Sequence, residues 1–332
     1  MRTGRSWALA VLAALAALLP AMPAPAADSV QLQLDWIPTG EYAAFFAGWQ
    51  KGFWQEQGID IVLTRGYGSG DTVAKLAAGS ADFGIADLAA ILTARARTGT
   101  PVKAVGAVYT RAPQALFVLA ESGIRSLGDL EGRRIGLTPG NSHRLYFPAI
   151  AARAGIDPDK VVWVSTDASA MAAMLLAGRI DAAPFYVIHH AAQNRAALAA
   201  GKQILMLPFE QAGSPTYGAA FATTDRTIRD KPDLVRRFLA GAYRSFRWAG
   251  ENRKEACDLH VKRNPDVGFD DCADGLAATL SLVLNAESET AGLGRFDPER
   301  LKASWEAIAE AQGLPPGWDY GQAVDTALLP PQ

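Results

Sequence analysis

Strand-like and helix-like patterns alternate through the first two hundred residues of the chain, and this alternation limits the folds open to it. Short apolar runs predict strands at Val30–Asp35, Ile59–Thr64, Phe83–Ala86, Val102–Val108, Ala115–Ala120, Arg134–Leu137, Val161–Ser165, Ala182–Val187 and Gln203–Leu207. Helical patterns separate these runs at Tyr42–Gln57, Asp71–Ala78, Ala89–Thr98, Arg144–Ala154, Ala168–Ala177 and Ile188–Ala200. Because crossover helices join parallel strands, the sequence predicts an α/β fold with parallel-rich sheets flanked by helices.

The pattern changes after Thr223, where helices alone are predicted, at Pro232–Ala249, Glu251–Arg263, Phe269–Asn285 and Pro298–Gln312. Earlier in the chain, the phrase LAAGSADFGIAD at Leu76–Asp87 is similar to LLAGRIDAAPFY at Leu175–Tyr186. Each phrase reads as a helix that ends in glycine, then a polar pair and a strand. We interpret them as one supersecondary unit used once in each of two lobes, rather than as a solenoid repeat.

Two lobes built alike describe a hinged clamshell. The chain is expected to cross between them near Val108–Pro113 and again near Ser214–Gly218. The predicted domains are therefore a signal segment at 1–26, a first lobe at 27–112 plus 216–332, and a second lobe at 113–215.

The N-terminus has the features of a secretory signal. Arg2 and Arg5 precede an apolar run from Trp7 to Leu19, and small residues around Ala24-Pro25-Ala26 suit a signal peptidase. The alternative is a membrane anchor, but a spanning helix needs about 20 apolar residues and prolines cut this run short. We therefore expect cleavage near Ala26 and a soluble periplasmic protein.

Charge and cysteine content restrict the partners and the chemistry. The net charge of −2 becomes −4 when the two arginines of the signal are removed, and no basic run offers a nucleic-acid footprint. Cys257 and Cys272 are the two cysteines of the sequence; in an oxidising compartment they favour a disulfide between two helices, and the alternative is a pair of buried thiols. The sequence contains four histidines and no cluster with metal-ligand spacing, so no metal and no cofactor is expected.

Five phrases spread over nearly the whole mature chain carry a family resemblance: LDWIPTGEYAAFFAGWQKGFWQEQGIDIVL, LAAGSADFGIAD, SLGDLEGRRIGLTPGNS, LLAGRIDAAPFY and PTYGAAFATT. They resemble periplasmic solute-binding proteins of ABC importers, in the group that handles alkanesulfonates, nitrate and thiamine pyrimidine precursors. The resemblance implies a type II clamshell with a ligand in the cleft and no chemistry on that ligand. Where the pyrimidine-precursor branch has a glutamate shortly after a strand, this chain has FYVIHHAAQN, which leaves the ligand class open.

In the first lobe, candidate ligand contacts lie just past predicted strand ends, where ligands bind in open α/β sheets. Trp36, Tyr42 and Tyr67 offer rings for stacking or cation–π contact, although aromatic residues also fill cores. Ser69 and Gly70 belong to a glycine-rich loop that opens a helix, which is either an anion site or a tight turn. Asp87 is either a helix N-cap or an acceptor for a ligand donor.

In the second lobe, Thr138-Pro139-Gly140-Asn141-Ser142-His143-Arg144 is the strongest candidate. Free amides and the helix dipole there, together with Asn141, Ser142, His143 and Arg144, suit a carboxylate, sulfonate or phosphate. The alternative is that Arg144 points into solvent or pairs with an acidic residue. Further predicted contacts are Tyr186 at a strand end and Tyr109 and Tyr217 at the two crossovers.

These features favour a binding protein that captures a small, planar or anionic molecule and delivers it to an ABC permease, without being an enzyme. A monomer is expected. One alternative is an enzyme like those of thiamine pyrimidine synthesis, which the resemblance associates with pyridoxal phosphate and a cysteine-rich motif; the export signal and the absence of a cysteine cluster in the sequence argue against it. Another alternative is a ligand sensor that presents its closed form to a membrane receptor.

Overall fold

The computed structural model describes residues 26–213 and 216–331, so the predicted signal segment before Ala26 lies outside the described residues. The strands are β1 Asp28–Gln33, β2 Ile59–Thr64, β3 Phe83–Asp87, β4 Val102–Ala107, β5 Gln114–Leu119, β6 Arg134–Leu137, β7 Val162–Ser165, β8 Ala182–Tyr186, β9 Ile204–Pro208 and β10 Ala219–Thr224. The helices of the first two hundred residues are α1 Ala43–Gln50, α2 Ser69–Ala77, α3 Leu88–Thr98, α4 His143–Ala154, α5 Met171–Leu176 and α6 His190–Ala199. Those that follow are α7 Asp225–Asp230, α8 Pro232–Glu251, α9 Arg253–Arg263, α10 Phe269–Val283, α11 Ala286–Ala291 and α12 Pro298–Gln312.

The strands form two five-stranded mixed sheets with the same design. The first has the order β2-β1-β3-β10-β4, with β10 antiparallel to both of its neighbours. The second has the order β7-β6-β8-β5-β9, with β5 antiparallel to both of its neighbours. In each sheet the antiparallel strand is the first one after the chain has crossed from the other lobe. The predicted two-lobed α/β fold is confirmed.

The two similar sequence phrases occupy equivalent places in the two sheets. The first ends α2 and forms β3, and the second ends α5 and forms β8; both strands take the central position. All nine predicted strands are present, with ends that differ from the prediction by at most two residues, but β10 was not predicted. Its sequence, Ala-Ala-Phe-Ala-Thr-Thr, is short in bulky apolar residues, and its strand conformation depends on pairing with β3 and β4 on both sides.

The two crossover segments lie side by side and are joined by backbone hydrogen bonds. The amide of Ala112 donates to the carbonyl of Thr216 at 2.9 Å, and the amide of Gly218 donates to that of Tyr109 at 3.1 Å. Strands at 28–107 and 219–224 build the first sheet and strands at 114–208 build the second. We retain the predicted lobes, 27–112 plus 216–332 and 113–215, as a proposal consistent with this strand membership.

The C-terminal helices attach to both lobes. Helices α8 to α10 pack with α1 on the first lobe, and a disulfide joins Cys257 of α9 to Cys272 of α10 with their Cα atoms 5.7 Å apart. Helix α10 also contacts α6 of the second lobe, and α12 packs against α3 of the first lobe and α4 of the second. None of the helices in the described ranges is both long enough and apolar enough to cross a membrane.

Candidate functional site

The cleft between the lobes contains a narrow cavity at the carboxyl ends of the central strands. The empty volume between its walls is about 300 Å³, which includes open space at the mouth. The part of this volume that the centre of a water molecule can occupy is about 20 Å³. Both lobes contribute to the lining, which comprises Asp35, Trp36, Gly68, Ser69, Asn141, Ser142, His143, Pro184, Phe185, Tyr186 and His189. In open α/β sheets the loops that follow the carboxyl ends of the strands form a crevice, and ligands bind there.

Asp35 is the buried acid on the first-lobe side of the cavity. It follows β1 directly and is only 3% exposed. Tyr42 donates its hydroxyl to Oδ1 at 2.8 Å, and Ser69 donates to Oδ2 at 3.2 Å. Burial, together with the nearby negative charge of Glu41, raises the pKa of Asp35 from 3.8 to about 8, against the two hydroxyl hydrogen bonds, which lower it. At neutral pH this group is therefore a mostly protonated carboxylic acid.

Glu41 connects the lobes behind the cavity. It lies on a short 3-10 turn, Gly40–Tyr42, and is 1% exposed. Tyr109 donates its hydroxyl to Glu41 Oε1 at 2.5 Å, and Nε2 of His189 lies 3.1 Å from Oε2. Because the Tyr186 amide donates to His189 Nδ1 at 3.4 Å, the ring hydrogen belongs on Nε2, facing Glu41. A side chain of the second lobe thus satisfies a carboxylate of the first.

Asp87 makes the second connection between the lobes. Its Oδ1 accepts the Ala89 amide at 2.9 Å, as an N-cap of α3 does, and also the Tyr146 hydroxyl at 2.7 Å. Gln114 donates to its Oδ2 at 2.5 Å. Burial raises the pKa of Asp87 to about 6, although these hydrogen bonds act in the opposite direction. Asp87 is therefore the N-cap of α3, one of the two alternatives considered from sequence. It does not line the cavity, and its role as an acceptor for a ligand donor stays a prediction.

The second-lobe wall is a column of three nearly parallel rings. The Tyr186 ring stacks on His143 with centroids 5.6 Å apart and on His189 with centroids 5.9 Å apart. His143 is fixed by Asn141 Oδ1, 2.8 Å from its Nδ1, and by the carbonyl of Phe185, 2.9 Å from its Nε2. Trp36 lines the cavity on the first-lobe side, so aromatic side chains of both lobes border this space.

Within the part of the chain that the structure describes, the cavity lining includes no arginine or lysine that could neutralise an anion. Burial lowers the pKa of His143 to about 4, so its ring is neutral near pH 7. Arg144 is exposed and lies over the Trp163 ring at 5.8 Å, outside the cavity, because adjacent helix residues point about 100° apart and His143 takes the inward direction. The predicted anion site at this helix N-terminus therefore lacks its cation.

The remaining predicted contacts fall into three positions. Trp36, Ser69, Asn141, Ser142, His143 and Tyr186 line the cavity, and Tyr42, Asp87 and Tyr109 support it from behind. Three others do not line it: Tyr67 is 43% exposed beside Arg65 and Lys75, Tyr217 donates to Glu287 at 2.9 Å, and Gly70 sits at the rim.

Sequence reasoning missed three important residues. Asp35 was part of a quoted motif but not a predicted contact, although an acid directly after an apolar strand is a usable signal. Glu41 and His189 were also missed as site residues. These two residues lie 148 positions apart in the chain and pair only when the lobes are closed, so no local pattern records the contact.

The lobes touch each other at the mouth of the cleft. The Gly70 amide of the first lobe donates to the Gly140 carbonyl of the second at 2.9 Å. On another part of the rim, Arg195 of α6 donates to Asp271 at 2.7 Å and to Asp274 at 2.6 Å, both on α10. The structure is therefore a closed form, with direct polar contacts from lobe to lobe.

Comparison with known proteins agrees with this architecture. Residues 39–256, well over half of the chain, match the family described as NMT1/THI5 like. This chain belongs to the NMT1/THI5-like family. Riboflavin-binding protein RibY of Chloroflexus aurantiacus is 26% identical over 314 residues, which cover 92% of this chain and 87% of that protein. A 4-amino-5-hydroxymethyl-2-methylpyrimidine phosphate synthase of Legionella pneumophila is 30% identical over 129 residues, covering 39% of this chain and 40% of that protein.

A solved structure shares the fold of this family member. The alkanesulfonate-binding protein SsuA of Xanthomonas axonopodis pv. citri, bound to MOPS, superimposes with a TM-score of 0.70 at 17% identity. The match covers 91% of this chain and 99% of that chain. The periplasmic-binding-protein fold predicted from sequence is thereby confirmed.

Proposed function

We propose that this NMT1/THI5-like protein is an extracytoplasmic solute-binding protein that captures a small flat heterocycle between its lobes and delivers it to an ABC permease. The observation that carries the proposal is the cavity built from both lobes, with Trp36 on one side and the Tyr186 column on the other. A ligand in contact with both lobes binds the closed form better than the open form, and so drives closure. A permease that recognises the closed form would then select the protein that carries a ligand.

The polar groups narrow the ligand class. Asp35 and Ser69 line the cavity on one side and Asn141 and Ser142 on the other, and the lining within the described residues has no lysine or arginine. A sulfonate or nitrate would leave its negative charge unneutralised there, at a high desolvation cost. A neutral ring that carries N–H and carbonyl groups would instead find both donors and acceptors. The riboflavin-binding relative supports this class.

An enzymatic role has less support. The two cysteines form the disulfide of α9 and α10, far along the chain from the cleft loops, and no lysine of the described residues lines the cavity to hold pyridoxal phosphate as an imine. The synthase relative matches only part of the chain. Our proposal includes a periplasmic location, a monomeric state and no nucleic-acid partner, in line with the mildly acidic net charge.

The test is native mass spectrometry of freshly purified protein, followed by calorimetric titration with riboflavin, lumichrome, taurine and nitrate. We expect a bound or titratable flat heterocycle and no heat from taurine or nitrate. Tight binding of either anion, with no heterocycle bound, would refute the proposed ligand class. The finding of a covalent imine or of product formation would refute the binding-protein role.

A further inference from the structure

Three glycines form the contact at the mouth of the cleft. Gly68 lies in the loop before α2, Gly70 lies in the first turn of α2, and Gly140 lies in the loop before α4. A Cβ placed at Gly68 would lie 2.3 Å from the carbonyl carbon of Gly140, and one at Gly140 would lie 2.8 Å from the backbone nitrogen of Asp71. Backbone therefore meets backbone directly across the two lobes.

The backbone conformation shows that Gly68 and Gly140 are glycines for different reasons. Gly68 has φ +114°, a conformation that side chains disfavour, so a glycine is required there by the turn alone. Gly140 is not among the residues with positive φ, so its own backbone would accept alanine. The lack of a side chain at position 140 is needed only because the other lobe comes so close. This requirement exists in the closed form and disappears when the lobes separate.

We propose that Gly140 is a specificity-determining residue that sets how far the lobes close, and so keeps the closed cleft narrow enough for a flat ligand. A methyl group at position 140 would meet the Asp71 nitrogen at 2.8 Å and the Tyr67 carbonyl oxygen at 3.1 Å, both backbone atoms that cannot turn away. The mouth would have to open until that contact relaxed. The 2.9 Å hydrogen bond from Gly70 to Gly140 would be lost with it. The claim that a narrow cleft selects a flat ligand rests on the proposed function. The claim that Gly140 sets how far the lobes close does not.

Gly140→Ala is the test variant, and the structure supplies two matched controls. Gly70→Ala keeps the donating amide and places its methyl 3.4 Å from the Gly140 Cα, an ordinary contact distance. Gly317→Ala adds a methyl with no atom within 4 Å. Urea unfolding midpoints of the three glycine variants that equal the midpoint of the native protein would show that folding is unaffected.

The lobe positions can be measured by pulsed electron spin resonance. Spin labels are placed on Val62→Cys and Val162→Cys, which are 51% exposed on the edge strands β2 and β7 of the two lobes. No free cysteine competes for the label in the described part of the chain. Distances are recorded for the native protein and the three glycine variants, each alone and with riboflavin as the probe. Riboflavin affinity is measured in parallel by calorimetry.

We expect the native protein, Gly70→Ala and Gly317→Ala to share a short interlobe distance. Gly140→Ala should shift the closed-to-open ratio roughly threefold to tenfold towards open, the effect of one hydrogen bond, and weaken riboflavin binding by a similar factor. A Gly140→Ala protein that closes as far as the native protein overturns the proposal. So does a native protein whose lobes stay apart with and without riboflavin. Native closure without riboflavin binding would instead leave the proposal standing and count against the flavin-like ligand.

Discussion

The unusual ionisation of Asp35 makes the stability of the protein depend on pH in a defined direction. In the unfolded chain its pKa is near 3.8, and in the folded chain burial and Glu41 raise its pKa to about 8. Between about pH 4 and pH 8 the folded state therefore binds one more proton than the unfolded state. The free energy of unfolding then decreases as pH rises through this window, by about 1.4 kcal/mol per pH unit.

Asp35→Asn removes this titration while retaining a side chain of similar shape. Relative to the variant, the native protein should lose roughly 2–3 kcal/mol of unfolding free energy between pH 5 and pH 7. Urea unfolding followed by circular dichroism at pH 5, 6 and 7 measures it, and the native and variant curves are compared at each pH. Asp87, whose pKa is raised to about 6, acts in the same direction but is present in both proteins.

Tyr42→Phe is the matched control. The Tyr42 hydroxyl lowers the pKa of Asp35, so its removal should raise that pKa further and carry the loss of stability to higher pH. Native and Asp35→Asn proteins whose urea midpoints change in parallel from pH 5 to pH 7 would refute the reasoning. That result would mean that Asp35 is hydrated and ionised in the folded protein.

Three further outcomes are expected. Trp36→Ala should weaken riboflavin binding about tenfold by calorimetry through loss of a stacking surface, whereas Trp36→Phe and the surface variant Arg144→Ala should bind almost normally. Arg195→Ala removes the ion pairs that Arg195 forms with Asp271 and Asp274 and should speed riboflavin release in stopped-flow fluorescence about twofold to tenfold, with a smaller effect in high salt. Replacing Cys257 and Cys272 by alanine opens a 15-residue loop and should cost about 3 kcal/mol in urea unfolding.

Each of these outcomes can be contradicted separately. Equal affinity of Trp36→Ala and native protein would place the ligand away from the first-lobe wall, and a large loss in Arg144→Ala would restore the anion hypothesis. A release rate for Arg195→Ala that matches native at low salt would show that the ion pairs of Arg195 with Asp271 and Asp274 do not stabilise closure. A dithiothreitol-insensitive native protein with the stability of the double alanine variant would mean that the disulfide does not form.

Periodicity was sufficient for most of the fold because strand and helix signals are local. The repeated phrases at β3 and β8 even disclosed the shared design of the two sheets. Among the strands, β10 was not predicted: it has small side chains and gains its conformation from neighbours on both sides. A pattern of residues along the chain does not contain that information. Helices α7 and α11 were also not predicted, and the helix predicted over Tyr42–Gln57 ends at Gln50.

The site was predicted less completely, and the failures share one physical cause. Strand ends pointed to Trp36 and Tyr186, and both line the cavity; their contact with a ligand stays a prediction. The orientation of a side chain on a helix depends on tertiary packing, so His143 and its neighbour Arg144 were not separated. Pairs that form across the cleft, such as Glu41 with His189, depend on closure itself.

The position of α12 determines how such a molecule can open. Apolar residues of α12, including Trp305 and Ile308, belong to one buried cluster with Ile91 of α3 and Phe147 of α4. Moving the lobes straight apart would expose this seam to water, whereas a rotation about the helix would keep it covered while the glycine rim separates. Helix α12 therefore covers apolar residues of both lobes, and a chain cut short before Pro298 would expose them to water.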